Sequence, residues 1–177
     1  MQEQTFRLKD EREVILRLLK SEDKGPLQNM MAGLSRDALR WSNPPYDEAK
    51  INRWMSGVQT GLSIVAIFSD RLVGISSIYE FSRPREKGIG GMMIYIHQEF
   101  HGVGLGTAMT DEILKLAKER GLHRIGLEVV EDNDAAVALY KKRGFEVEGV
   151  LRDAYFGEDG EYHNMLVMGT LLPRSCL

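Results

Sequence analysis

The residues best placed to do chemistry lie at His101-Gly102-Val103-Gly104-Leu105-Gly106-Thr107, where three glycines alternate just before a run with helical spacing. Glycines let an anion approach the backbone without intervening Cβ atoms. The first turn of a helix leaves N–H groups unpaired at the positive end of its dipole. A pyrophosphate fits such a turn, although a glycine-rich turn read alone is equally a tight strand-to-helix connection. Two familiar phosphate motifs do not match. Thr107 stands where the dinucleotide fingerprint needs a glycine, too little chain follows for a βαβαβ unit, and the Gly-Lys-Ser/Thr of a Walker loop is absent. His97-Gln98-Glu99-Phe100-His101 has the histidine spacing of a zinc helix, but Glu99 falls one place late and Gly102 and Gly104 oppose a helix. No metal site is expected. Cys176 is the only cysteine and sits next to the C-terminus, which excludes an internal disulfide framework and a cysteine-rich zinc site.

The elements that must position this turn follow from periodicity. Glu13 to Leu19 alternates as a strand after a short one near Phe6, making an opening hairpin. Ser21-Glu-Asp resembles a helix start. Leu27 to Trp41 predicts two short helices broken at Gly33 and Ser35, and Asp47 to Met55 predicts another, with Ile51, Trp54 and Met55 on one face. Leu62 to Phe68, Leu72 to Phe81 and Ile89 to Ile96 read as an antiparallel meander. Leu105, Met109, Ile113 and Leu116 then recur every three or four residues up to Gly121, the strongest helix in the chain. Arg124 to Val130 reads as a strand, Asp134 to Arg143 as a helix ended by Gly144, and the last quarter as two strands joined at Gly157 to Gly160.

Composition bounds the function. The 177 residues suit one domain, with 43% hydrophobic and 28% charged residues, as expected of a folded soluble chain. A net charge of −3 with no basic stripe outside Lys141 to Arg143 argues against nucleic acid as partner. No apolar run approaches the ~20 residues of a membrane span, and Met1 to Asp10 is too polar for a secretory signal. A cytoplasmic protein with no membrane partner is expected.

The glycine turn and the segment after it together resemble the GNAT superfamily of acetyl-CoA-dependent N-acetyltransferases, over nearly the whole chain. His101-Gly-Val-Gly-Leu-Gly fills the family's Gln/Arg-x-x-Gly-x-Gly/Ala, with His101 as the departure. Leu127-Glu-Val, Asn133, Ala138-Leu-Tyr140 and Arg143-Gly-Phe145 fill its second pattern. The resemblance implies an α/β (α+β) fold. Its central mixed sheet is mostly antiparallel, has about seven strands flanked by about four helices, and splays between strands 4 and 5. It also implies a single N-acetyltransferase domain over 1–177. Acetyl-CoA would be held by Ile94, Tyr95 and Ile96 through a strand edge, by His101, Gly102, Val103, Gly104, Leu105, Gly106 and Thr107 at the pyrophosphate, by Asn133 at the pantetheine arm, and by Tyr140 and Lys142.

By the same resemblance Tyr140 sits beside the thioester sulfur. A tyrosine near pKa 10 is protonated at neutral pH and able to donate to a leaving thiolate, so Tyr140 is expected as general acid. Without the surrounding motif it reads as a tyrosine packed beside Ala136 and Leu139. Glu128 matches the glutamate proposed as base in ribosomal-protein alanine N-acetyltransferases; it reads equally as a solvated strand carboxylate. Taking a proton from a lysine-like ammonium is uphill by about 8 kcal/mol for an ordinary glutamate, and from an α-ammonium by about 5, so this base needs a raised pKa or a water relay. The fourth-strand glutamate of histone-acetylating relatives has no counterpart in Gly90-Gly-Met-Met-Ile-Tyr95.

The expected reaction is direct attack of a primary amine on acetyl-CoA, with a small acceptor such as an amino acid or polyamine. A protein N-terminal or lysine acetyltransferase and a non-catalytic CoA-binding sensor are the alternatives. Trp41, Tyr46, Tyr155 and Phe156 are candidates to wall an acceptor pocket, with Glu158, Asp159 and Glu161 attracting an amine. The same residues read as core aromatics and an ordinary Asp-Gly turn. A homodimer through the C-terminal strands is compatible with the resemblance.

Overall fold

Strict alternation builds the opening hairpin: in β2 (Glu13–Leu18) Val14 and Leu16 are buried while Glu13 and Ile15 are exposed. β2 pairs with β1 (Gln4–Arg7). The computed structural model describes residues 1–173, so Cys176 lies outside the described residues. After the hairpin come α1 (Lys24–Ala32), α2 (Arg36–Leu39), α3 (Glu48–Met55) and α4 (Gly57–Thr60), then β3 (Ser63–Phe68), β4 (Arg71–Glu80) and β5 (Ile89–Ile96). α5 (Leu105–Glu119), β6 (Arg124–Val130), α6 (Asp134–Lys142), β7 (Glu146–Phe156) and β8 (Tyr162–Leu171) complete the chain. No helix among the described residues is long and apolar enough to cross a membrane.

The sheet has eight strands in the order β1-β2-β3-β4-β5-β6-β8-β7, against about seven expected. The eighth is the short hairpin strand β1, expected near Phe6 and lying beyond the seven of the resemblance. It also shifts the numbering, so the splay falls between β5 and β6. Among the described residues these two strands are the only parallel neighbours, as a crossover through α5 requires, and they pair only at Ile89–Arg124, Gly90–Ile125 and Gly91–Gly126. β5 runs on to Ile96 and β6 to Val130 without pairing to each other, which leaves a wedge between them.

Helices cover both faces. Leu105, Met109 and Ile113 of α5 are fully buried and Leu116 is nearly so, in one cluster with Ile125, Leu127 and Val129 of β6. Four such side chains contribute on the order of 10 kcal/mol of apolar burial before conformational entropy is counted. Gly121, at φ +85°, ends α5, and the Leu122 N–H closes onto the Ala117 carbonyl at 3.0 Å. On the other face Leu27, Met30 and Met31 of α1 and Ile51 of α3 pack against Val65 and Ile75. Asp47 caps α3, its carboxylate accepting from the Lys50 N–H at 2.8 Å.

Candidate active site

The glycine turn sits where the periodicity places it, between β5 and α5. Gly102 and Gly104 have φ of +73° and +96°, and Gly104 is the N-cap of α5. The first backbone bond of the helix is from the Ala108 N–H to the Gly104 carbonyl at 3.1 Å. No backbone N–H from Gly102 to Thr107 has a hydrogen-bond partner among the described residues. A side chain at Gly102 would meet nothing within 4 Å, and no acidic residue occupies the first turn of α5. An open cradle of successive N–H donors at a helix N-terminus fits a diphosphate.

His101 behaves differently from a free side chain over this cradle. Its Nε2 lies 2.9 Å from the Ile96 carbonyl, which can only accept, so Nε2 carries a proton and donates. The ring therefore braces the turn against the end of β5. Ile94, Tyr95 and Ile96 line the β5 side of the wedge, where the strand has no partner. Asn133, just after β6, caps α6: its side-chain oxygen accepts from the Ala136 N–H at 3.3 Å, which leaves the amide nitrogen to donate elsewhere. Lys142 is exposed in the last turn of α6, and Arg143 beside it pairs with Asp111 of α5 at 2.7 Å.

Tyr140 is buried on α6 with its ring 5.6 Å from that of Phe145. Burial pushes its phenol up to about 12, so it stays protonated across the physiological range. Glu128 is exposed. Its neighbours Leu127 and Val129 point into the cluster under α5 and α6, so alternation puts Glu128 on the opposite face of the sheet. There its charge helps raise the Tyr79 phenol, after burial. Tyr140 and Glu128 thus lie on opposite faces of the sheet.

The face covered by α1 and α3 carries an aromatic group. Trp54 and Tyr95 lie 5.0 Å apart, and Tyr46 lies 5.8 Å and 5.6 Å from them. Burial, and then the neighbouring Tyr46, Tyr140 and Tyr155 phenols, push the Tyr95 hydroxyl well above its usual range. The Tyr46 hydroxyl is buried with no hydrogen-bond partner among the described residues. Of the four residues expected to wall a pocket, Trp41 packs on Tyr155 and His163, and Tyr46 on Tyr95, while Phe156 is largely exposed against Tyr162. A cavity of about 360 Å³ opens beside Leu39, Ser42, Pro44, Tyr155, Phe156 and Glu158, over the tip of the β7–β8 hairpin rather than over Tyr140.

Two features have no local signal in the sequence. Tyr155 shares its hydroxyl proton between the carbonyls of Arg40 and Ser42, at 2.9 Å and 3.0 Å, fastening the hairpin to the segment after α2. His163 stands between Asp159, 3.1 Å from Nε2, and Asp132, 2.6 Å from Nδ1. Two carboxylates on two ring nitrogens require both to donate, so these bonds, Asp159 first, raise the His163 pKa. With its folded value above the unfolded ~6.5, this tie stabilises fully below about pH 6.5 and is lost as pH rises through the folded value. We expect His163→Gln to lower the melting temperature most in acid, with the deficit shrinking toward alkaline pH. A deficit independent of pH would refute the charged tie.

Residues 28–145 match the model of the Acetyltransferase (GNAT) family. An acetyltransferase of the GNAT family from Streptococcus pneumoniae aligns with a TM-score of 0.78 at 24% identity, covering 90% of this chain and 99% of that one. Ribosomal-protein-alanine N-acetyltransferase from Brucella melitensis aligns at 0.75 and 22% identity, covering 89% and 99%. yncA of Salmonella typhimurium, whose structure holds acetyl-CoA as its cofactor, aligns at 0.77 and 18% identity, covering 93% and 96%. At these identities the likeness concerns the fold.

Proposed function

The chain belongs to the GNAT family of acetyltransferases, and from that premise we propose that it moves an acetyl group from acetyl-CoA to the nitrogen of a small primary amine. The observation that carries this reading is the wedge between β5 and β6, with unpaired N–H donors at one end and Tyr140 and Glu128 on its two faces. The glycine turn from Gly102 to Thr107 holds the diphosphate. The open edge of β5 at Ile94 to Ile96 and the Asn133 amide align the pantetheine arm, and Lys142 lies along α6 toward the same ligand. Acetyl-CoA supplies a thioester carbonyl and a thiolate leaving group.

The protein's own part is positioning and proton transfer. An amine arriving on the Glu128 face attacks the carbonyl carbon, forming the C–N bond as the C–S bond breaks. Glu128, directly or through a water, receives the proton the nitrogen loses. Tyr140, on the other face, donates to the sulfur. The acceptor reacts as the free amine, its ammonium proton lost to solvent beforehand. Solvent then returns a proton to Tyr140 and takes the one on Glu128, so the protons balance without a covalent enzyme intermediate.

The ties that hold the β7–β8 hairpin tip against the helical segment favour a small amine over a protein tail, because they narrow the approach that a tail would need. The Tyr155 hydroxyl, the Arg40–Asp159 pair at 3.5 Å and the Arg36–Glu158 pair at 3.4 Å draw the hairpin tip onto α2 and the segment after it. The test is CoA release on free amino acids, polyamines, aminoglycosides and short peptides, with acetyl-CoA binding measured on the same sample. Turnover on a small amine supports the proposal; turnover on peptides alone, or tight binding with no turnover on any acceptor, would refute it. We also propose a homodimer through β7, an edge strand that exposes Val147, Val150 and Leu151. Light scattering should return twice the chain mass, and a monomer at all concentrations would exclude it.

A further inference from the structure

Resting on the acetyl-CoA reading, we propose that Lys9 is an additional cofactor-binding residue, its ammonium pairing with the diphosphate seated on the glycine turn. Lys9 belongs to the β1–β2 turn, almost a hundred positions from that cradle in sequence, and the fold brings the two together. The Lys9 N–H donates to the Val103 carbonyl at 3.0 Å, and Arg12 Nη2 donates to the Glu99 carbonyl at 2.6 Å. The Arg12 guanidinium also covers the Phe100 ring at 3.9 Å. The hairpin turn is therefore docked on the glycine turn by bonds that do not involve the Lys9 side chain.

That side chain runs along the turn. Its Cγ and Cε lie 3.8 Å and 3.9 Å from where a Cβ at Gly104 would stand, beside the N-cap of α5. Charge pairing within the hairpin sets it apart. Asp10 pairs with Arg12 at 2.6 Å and Glu11 with Arg7, whereas Lys9 has no carboxylate within ion-pair distance among the described residues. A cation on a flexible four-carbon stem thus stands unpaired beside a row of N–H donors that lack a partner. A phosphate in the cradle would complete both. The backbone donors fix its position, and Lys9 adds a mobile point charge rather than a rigid fork. Because Lys9 is exposed, solvent screening limits its contribution, and about a tenfold effect on affinity is expected.

Calorimetry on the full chain separates this role from a structural one, using CoA, dephospho-CoA without the 3′-phosphate, and pantetheine without any phosphate. Lys9→Ala should weaken CoA and dephospho-CoA alike by roughly tenfold, leave pantetheine binding and the melting temperature unchanged, and flatten the salt dependence of CoA binding. Lys9→Arg should restore most of the loss. Equal loss toward pantetheine would make Lys9 a mere support of the turn. A loss for CoA but not dephospho-CoA would move its contact to the 3′-phosphate, and unchanged CoA affinity would remove it from the site; each overturns the proposal. A wild-type chain that binds none of the three would overturn the acetyl-CoA reading itself, a result distinct from the rest.

Discussion

Tyr140→Phe should cut kcat about a hundredfold while acetyl-CoA affinity and melting temperature stay close to wild type. The substitution removes one oxygen and keeps the ring against Phe145, so no cavity forms in the cluster under α6. The expected size follows from two pKa values. The phenol sits near 12 and a thiol near 8.5, so complete transfer from tyrosine to an unperturbed thiolate is uphill by about 5 kcal/mol. Tyr140 therefore serves first as a hydrogen-bond donor to the sulfur as charge develops there, and releases the proton fully only where the same dry surroundings raise the pKa of the thiol. This places the effect at the low end of the ~10²–10⁴ range for general acids. Unchanged kcat would remove Tyr140 from the reaction. A parallel fall in affinity and melting temperature would show that the hydroxyl acts in packing.

Gly104→Val should instead weaken acetyl-CoA binding about ten- to a hundredfold and leave kcat at saturation nearly unchanged. The position has φ +96°, where a β-branched residue is strained by on the order of 1–3 kcal/mol. The turn relieves that strain by rotating its N–H groups out of line, and each 1.4 kcal/mol is a factor of ten in affinity. Space alone does not decide this, since the nearest atoms to a Cβ there belong to the flexible Lys9 side chain at 3.8 Å and 3.9 Å. Calorimetric titration with acetyl-CoA is the check. Undiminished affinity would sink the assignment of the glycine turn to the diphosphate.

Local pattern made much of this legible. β5 and β6 span the stretches that their apolar runs predict, and α5 keeps the face set by Leu105, Met109, Ile113 and Leu116. Asn133 and Gly144 bound α6 because a cap and a left-handed stop act within a few residues of themselves. What stayed hidden depends on contacts remote in sequence. The single turn α4 has no pattern long enough to read. Pairing of β5 with β6 stops after Gly91–Gly126 although both strands continue, and strand propensity does not report where two strands part. The turn of His101 onto Ile96, the Tyr155 hydroxyl on the Arg40 and Ser42 carbonyls, and Lys9 beside Gly104 were equally invisible. The face of Glu128 followed once neighbouring residues were known to enter the core.

The wedge also bears on the persistence of the fold. Strands β1 to β5 form one antiparallel half and β6 to β8 the other, and backbone pairing joins the halves at only three residue pairs, with α5 and α6 bridging the rest. In the proposed placement, acetyl-CoA lying along the open edge would supply bonds that neither half makes alone and would bind the native chain in preference to the unfolded one. By mass action it then adds about 2.7 kcal/mol when present at a hundred times its dissociation constant, a sizeable share of the ~5–15 kcal/mol by which native domains persist. The lifetime of this acetyltransferase would accordingly follow the supply of its acetyl donor, and starvation for that donor would expose the joint between the halves to local opening and proteolysis.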